Sequence, residues 1–374
     1  MEAIAPYNLY GMDREQLEQL FVAQGLQAFR GRQIMKWLYH QGRTDFSTMT
    51  DLPRKTREWL QQNCILDLPE IHAQYESKDG TVKWLLASSL PELADNLVEM
   101  VLIPEKGRQT LCVSSQIGCM LDCSFCSTGK QGFNGNLPAA DIVGQVLVAN
   151  QYLAERGASV TNIVLMGMGE PLLNFAAVIG ATNVMKDDLA FGLSKRRVTI
   201  STAGVVPKIN ELSESTDVAL AISLHAPSDD LRDELVPINR KYPLETLLQA
   251  CRDYVATLGP ARKLVIEYTL IRDVNDRPEQ ARQLATLLDG LPCKINLIPF
   301  NPFPGSGYER SRQKDIYAFQ TILMQSGYTT MLRTTRGDDI NAACGQLVGQ
   351  VRDRTKRQDR YKQRIAMTDL SAEA

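Results

Sequence analysis

The 374-residue sequence has no run of ~18 uncharged apolar residues, so nothing in it is expected to span a bilayer and no membrane partner is expected. Its first twenty residues, MEAIAPYNLYGMDREQLEQL, have neither a basic start nor an apolar stretch, so no secretory leader is expected and a cytoplasmic location is. Charge of one sign is also missing. Lys+Arg number 41 and Asp+Glu 43, a net charge of −2, so any nucleic-acid surface must be local. Eight cysteines are too few for a disulfide scaffold, and in a reducing compartment a cluster among them points to metal binding or catalysis. Repeats and low-complexity segments are absent. What is present, 44% hydrophobic and 22% charged residues, suits a chain that buries a full core in about two to three domains, not a disordered one.

Residues 1–90 read as a small accessory domain. DREQLEQLFVAQG puts Leu17, Leu20 and Phe21 at helical spacing and stops at Gly25. A second helix is expected over 32–41 and a third after Leu52-Pro53. A hairpin follows, IHAQYES and TVKWLLAS around Lys78-Asp79-Gly80, and then a strand at 97–104. Residues 91–345 read as the larger domain. Short β-rich runs at 110–115, 161–167, 197–202, 217–224, 263–271, 293–300 and 328–333 alternate with amphipathic stretches, the pattern of βαβ units on a parallel sheet. Six or seven such strands make an incomplete α/β barrel, with ligands at the C-terminal strand ends. Residues 346–374 form a C-terminal extension, in which 352–364 hold seven Lys/Arg against two Asp, a local charge of +5.

The sharpest motif is Cys119-Met-Leu-Asp-Cys123-Ser-Phe-Cys126, just after the first barrel-type strand. Zinc usually takes four protein ligands in paired knuckles. Here three cysteines are local, no second knuckle exists, and His40, His72 and His225 are far away in sequence. A [4Fe–4S] cluster normally takes four cysteines, so three would leave one iron open. A degenerate zinc site is the plainer alternative. The C-x-x-x-C-x-x-C spacing followed by βα alternation resembles the radical S-adenosylmethionine (SAM) superfamily.

Other motifs fall at successive strand ends. Met166-Gly167-Met168-Gly169-Glu170-Pro171 ends the second run, Ser201 the third, Ser223-Leu224-His225 the fourth, and Asn301 follows the sixth. Any one alone reads as a turn or a capping residue; as a set they read as a SAM pocket, with Glu170 matching the element that binds the methionine amino group. Two further cysteines stand out. Cys112 lies in TLCVSSQIGC. Cys344 lies in TRGDDINAACGQL, below Arg333, Arg336, Asp338 and Asp339, where cationic neighbours are expected to favour thiolate. Cys64, Cys251 and Cys293 read as small buried hydrophobes.

Together with CSFCSTGKQGFNGN, MGMGEPLLN, SKRRVTISTAGVVP, AISLHAP and PFNPFPG, these segments resemble the RlmN/Cfr family of radical SAM methyltransferases of RNA adenine across nearly the whole chain, and its RlmN branch most. The resemblance implies a partial (β/α)6 barrel with an N-terminal helical domain and a basic C-terminal extension. It implies one [4Fe–4S] cluster on Cys119, Cys123 and Cys126, and two SAM molecules per methylation. SAM would be held by Gly169, Glu170, Ser201, Ser223, Leu224, His225 and Asn301. Cys344 would be methylated first. A 5′-deoxyadenosyl radical would then take hydrogen from its S-methyl group, and the carbon radical would add to C2 of an adenosine in 23S rRNA or tRNA. Cys112 would release the product by forming a disulfide with Cys344, and Glu99 would accept the C2 proton. A flavodoxin- or ferredoxin-type electron donor, a thiol reductant and a monomeric state are implied. Cfr-type C8 methylation, a radical SAM enzyme acting on another substrate, and a non-enzymatic iron–sulfur RNA-binding sensor are the competing readings.

For RNA, the +5 tail is one phosphate site. Arg30, Arg32, Lys36, Arg43, Arg54, Lys55 and Arg57 form a second, and Lys195-Arg196-Arg197 a third. Trp37 and Trp59 read as core residues rather than stacking platforms. With little net charge, recognition by shape with one base extruded is expected.

Overall fold

The computed structural model describes residues 6–353 and 355–361. Arg354, residues 362–364 of the basic stretch and the polar last ten residues lie outside them.

Three short helices open the chain. Arg14–Ala23 begins at a capping box in which Asp13 accepts from the Gln16 amide and the Gln16 side chain accepts from the Asp13 amide, and it buries Leu17, Leu20 and Phe21. Phe29–Tyr39 starts three residues earlier than the pattern implies and buries Ile34, Met35 and Leu38. Arg54–Asn63 follows Pro53. A two-residue parallel pair, β1 (Tyr7–Asn8) with β2 (Cys64–Ile65), closes this helical unit.

One ten-stranded sheet dominates the rest. Its antiparallel part is β3 (Glu70–Glu76), β4 (Val82–Ala87), β5 (Leu97–Glu105) and β6 (Arg108–Cys112). A hairpin of β7 (Gln116–Gly118) and β8 (Phe133–Asn136) then brackets the three-cysteine loop. The sheet continues in parallel through β9 (Asn162–Leu165), β10 (Val198–Thr202), β11 (Ala219–Ser223), β12 (Leu264–Leu270), β13 (Cys293–Pro299) and β14 (Thr330–Leu332). Strand β6 joins the two parts by pairing in parallel with β9. Helices cross between the parallel strands, so the seven strands β6 and β9–β14 form the expected open α/β barrel. Apolar residues on both faces of the strands, such as the adjacent Ala221 and Ile222, are fully buried.

The hairpin β3–β4 differs from the expected arrangement. Sequence order groups it with the N-terminal helices, but its backbone ladder runs through β5 and β6 into the barrel sheet. Its turn also holds the loop that carries Cys344. Asp79 accepts the Gly337 amide at 3.1 Å, Asp339 accepts the Ser77 hydroxyl at 2.5 Å, and the Lys83 ammonium donates to Asn341 O at 3.3 Å. The β7–β8 pair carries too few residues to leave a period-two pattern. Its close approach depends on Gly118, where an added Cβ would lie 2.1 Å from Gly132 O.

Candidate active site

Two cavities open at the C-terminal ends of the barrel strands. The smaller, about 170 Å³, is lined by Cys119, Cys123 and Cys126 on one side. Gly169, Glu170, Ser201, Ser223, His225 and Asn301 line the other. The larger, about 270 Å³, is lined by Cys112, Arg333, Thr335 and Arg336. Cys344 lines both, as do Cys126 and Asn301. Cys112 and Cys344 are free thiols in this structure.

The three clustered cysteines follow β7 on one turn of loop and lead into the short helix Ser127–Lys130. Burial raises the Cys119 and Cys123 thiols, Cys123 to about 12, and their neighbours in the cluster raise them further. The three thiols share the wall of one cavity, and no second pair of cysteines stands beside them in that loop. This donor set fits a multi-iron cluster better than a lone zinc ion.

Glu170 provides the test for SAM. Its oxygens accept the Leu172 amide at 3.1 Å and the Ala203 amide at 2.8 Å, and no cation pairs with it among the described residues. Burial outweighs these bonds and pushes its carboxyl up to about 7. A buried carboxylate without a counter-ion on a cavity wall suits a ligand bearing an ammonium group. His225 sits at φ +62, and its Nδ1 accepts the Thr269 amide at 3.0 Å, which leaves Nε2 as the proton-bearing nitrogen. Burial, helped by the Arg232 charge, pushes the imidazole down to about 3, so the ring is a neutral donor. Ser201 and Ser223 hydroxyls lie 3.5 Å apart across adjacent strands.

Gly167 and Gly169 owe their identity to packing as much as to ligand access. A Cβ on Gly167 would lie 2.7 Å from Val113 O, and one on Gly169, at φ +104, 2.5 Å from Gln116 Cβ.

Three expectations change. Leu224 does not line the cavity; its side chain is fully buried and its carbonyl accepts the Arg232 Nε at 3.0 Å. Nor does Glu99. Its carboxylate takes the Lys83 ammonium at 3.0 Å and the Val348 amide at 2.9 Å, beneath the segment that follows Cys344. On the same face of β5, Val101, Ile103 and Glu105 do reach the larger cavity. Third, the surroundings of Cys344 do not favour thiolate. Although Cys344 is exposed at the residue level, its sulfur faces the two cavities, where desolvation raises the thiol, Glu267 raises it further, and the Arg333 charge only partly offsets them. Burial likewise pushes Cys112 up to about 12, with Cys344 adding to it.

Sequence reading missed Glu267, although a carboxylate within the apolar run KLVIEYTLI was a visible signal. It is buried, lines the smaller cavity and accepts the Asn296 amide group at 2.7 Å. The second role of Asn301 was not visible. Its Nδ2 donates to Cys344 O at 3.2 Å and its Oδ1 accepts from Thr335, so it fastens the cysteine loop to the end of β13. Arg232, fully buried, donates to Ala203 O, Ser223 O, Leu224 O and Asn239 and ties the ends of β10 and β11 together.

Comparison with known proteins agrees with this geometry. Residues 7–66 match the family described as ribosomal RNA large subunit methyltransferase N-terminal domain, and residues 113–285 match the radical SAM superfamily. The dual-specificity RNA methyltransferase RlmN of Pseudomonas putida strain W619 is 55% identical over 371 residues, 98% of this chain and 96% of its own length. The chain belongs to the RlmN family. The RlmN of P. putida strain GB-1 is 54% identical over 98% of this chain and 95% of its own. A radical SAM methyltransferase of known structure from Sphaerobacter thermophilus, 42% identical, superposes with a TM-score of 0.83 over 91% of this chain and 99% of that one. Membership of the RlmN family makes this chain a radical SAM methyltransferase. Among the described residues no helix is long and apolar enough to cross a membrane.

The basic surfaces are only partly free. Arg32 pairs with Glu18, Arg54 with Glu58 and Lys195 with Asp217. Trp37 and Trp59 pack against the core, Trp59 6.3 Å from Phe21 between ring centroids, as expected.

Proposed function

We propose that this protein methylates C2 of an adenosine in 23S rRNA and in tRNA, using Cys344 as the methyl carrier and Cys112 as the resolving thiol. The observation that carries the reading is the position of Cys344. It lines both the cavity shared with Cys119, Cys123 and Cys126 and the cavity shared with Cys112. A carrier must meet a methyl donor on one side and the base on the other. When bound at the three cysteines and the Glu170 wall, the cluster and SAM supply one-electron and methyl-donor chemistry.

The chain's own residues supply the rest. Glu170 receives the ligand's ammonium group and His225 offers its Nε2 proton. Cys344 Sγ loses its proton as it gains a methyl group. After the carbon has bonded to C2, the Cys112 sulfur attacks Cys344 Sγ. An S–S bond forms, the Cys344 S–C bond breaks with its electron pair staying on the carbon bonded to C2, and that carbon takes up a proton, matching the one Cys112 gives up, to become the methyl group. A thiol reductant then restores both thiols. Glu99 is proposed to take the C2 proton once the segment bearing Val348 lifts from it. A small flavodoxin- or ferredoxin-type donor, a cytoplasmic setting and a monomeric enzyme go with this reading. So do the boundaries 1–90, 91–345 and 346–374, with β3–β4 serving the catalytic loop.

The test is nucleoside mass spectrometry of RNA incubated with the reconstituted enzyme. A C2-methyladenosine product is expected; a C8 product would show Cfr-type chemistry on the same residues. The Cys344→Ala variant is expected to lose methylation, and a fully active one would refute the carrier role. Cys112→Ala is expected to accumulate a covalent protein–RNA species on a denaturing gel, and its absence would remove Cys112 from the resolving step.

A further inference from the structure

The C-terminal extension does not lie free along the surface. Its first part pairs with β5, the Leu97 amide donating to Gln350 O at 2.7 Å. Gly349 makes that approach possible, since a Cβ there would lie 2.0 Å from Leu97 O. Asp353 then accepts the Thr355 and Gln358 amides, each at 2.7 Å, and turns the chain over Gly132. The turn delivers Arg357 to the outer side of the three-cysteine loop. Its Nη1 donates to the carbonyls of Cys119 at 3.1 Å, Leu121 at 2.8 Å and Gly129 at 2.8 Å, and its Nη2 to Met120 at 3.1 Å. The Asp122 carboxylate lies 3.8 Å from Nε, and the guanidinium side chain is only 14% exposed.

One guanidinium thus gathers three carbonyls of the cysteine loop and one of the short helix that follows it. A trans peptide points its N–H away from its C=O. Carbonyls of Cys119, Met120 and Leu121 turned out toward Arg357 therefore turn the next amides inward. The Leu121 amide lies near enough to the Cys119 thiol to favour its anion against the larger effect of burial. Hydrogen bonds to cluster sulfurs and nearby positive charge both raise the reduction potential of an iron–sulfur centre. Lysine carries the charge but not the planar fork needed for several carbonyls at once.

We propose that Arg357 is the positioning residue of the cluster loop, setting the direction of its peptides and the potential of the cluster they surround. The proposal rests on the reading that Cys119, Cys123 and Cys126 hold a cluster. It makes this part of the extension a structural strap over the redox centre, where sequence alone suggested a phosphate contact.

The experiment uses full-length wild type, Arg357→Ala, Arg357→Lys and Arg360→Ala, purified and reconstituted without oxygen. Arg360 is a suitable control for the cluster because it is exposed and, among the described residues, bonds only to carbonyls of its own segment. Iron and sulfide per chain, the rate of bleaching in air, and the midpoint potential are measured, with RNA affinity alongside. Arg357→Ala is expected to bleach several-fold faster and to shift to a more negative potential. Arg357→Lys is expected to shift less in potential yet still bleach faster, and Arg360→Ala to match wild type in cluster content, air lifetime and potential. Wild-type cluster content, air lifetime and potential in Arg357→Ala, with a loss confined to RNA affinity, would overturn the proposal and make this arginine a phosphate ligand. Should Arg357→Ala fail to fold, wild-type lifetime and potential in Arg357→Lys would overturn it equally. A wild-type chain that takes up no iron and sulfide would instead refute the cluster reading itself.

Discussion

Gly169 stands at φ +104 beside the backbone of Gln116, so any side chain there meets both strain and overlap. Gly169→Ala is expected to destabilise the chain by about 1–3 kcal/mol, measured as a lower midpoint in urea; an unchanged midpoint would show that the β7 segment yields freely. His225 makes a pH prediction. Its folded pKa, about 3, lies below the ordinary 6.5, so the folded state resists a proton that the unfolded chain accepts. The stability it contributes is present above pH 6.5 and declines as pH falls from there toward 3, at up to about 1.4 kcal/mol per pH unit. Urea midpoints of wild type and His225→Gln, compared from pH 7 to pH 5, should converge on acidification; parallel curves would contradict the neutral buried ring.

Among the elements, the β3–β4 hairpin holds the loop that bears Cys344. Burial tends to raise Asp79, but hydrogen bonds from Thr81, Gly337 and Ser77 outweigh it and bring the carboxyl down to about 2. A depressed carboxyl stabilises above its unfolded pKa of about 3.8, and that contribution is lost as pH falls toward 2. The hairpin's grip on Gly337 should therefore be constant through neutral pH. Asp79→Asn should loosen it there, seen as faster amide exchange across 335–345 than in wild type; equal exchange would place the restraint elsewhere. Arg232 plays the corresponding role beneath the Glu170 side of the smaller cavity. Arg232→Met leaves three strand-end carbonyls without a donor and is expected to cost about 3 kcal/mol or more in stability. A calorimetric comparison of the apo chains checks this.

For the whole molecule, a net charge of −2 means that RNA is held by local basic surface. With Arg357 turned inward, about four phosphate contacts are assigned to the remaining basic residues. On single-stranded RNA a fourfold rise in salt should then weaken binding roughly fifty-fold. An affinity insensitive to salt would mean that shape and base contacts carry the complex.

Much of this molecule was legible in one dimension. The three N-terminal helices, the β3–β4 hairpin and the seven barrel strands all announce themselves by local periodicity, because each must bury one face. The three-cysteine loop was legible because its thiols are close together in sequence. What stayed hidden depends on contacts between distant residues. Nothing local shows that the Ser77–Thr81 turn grips residues 337–339, that Asn301 fastens Cys344, or that Val348 covers Glu99. The hand-over of β3–β4 to the barrel sheet is likewise a matter of ladder pairing, which sequence order does not encode.

By itself, then, the sequence determined the elements, the three-thiol loop and the family, all read from spacing along the chain. Tertiary structure alone decided which thiol faces two cavities, which carboxylate is left without a counter-ion, and which basic residue turns inward. The reason is physical. The groups packed around Cys344, Glu170 and Arg357 set what each can do, and they come from segments up to hundreds of residues away.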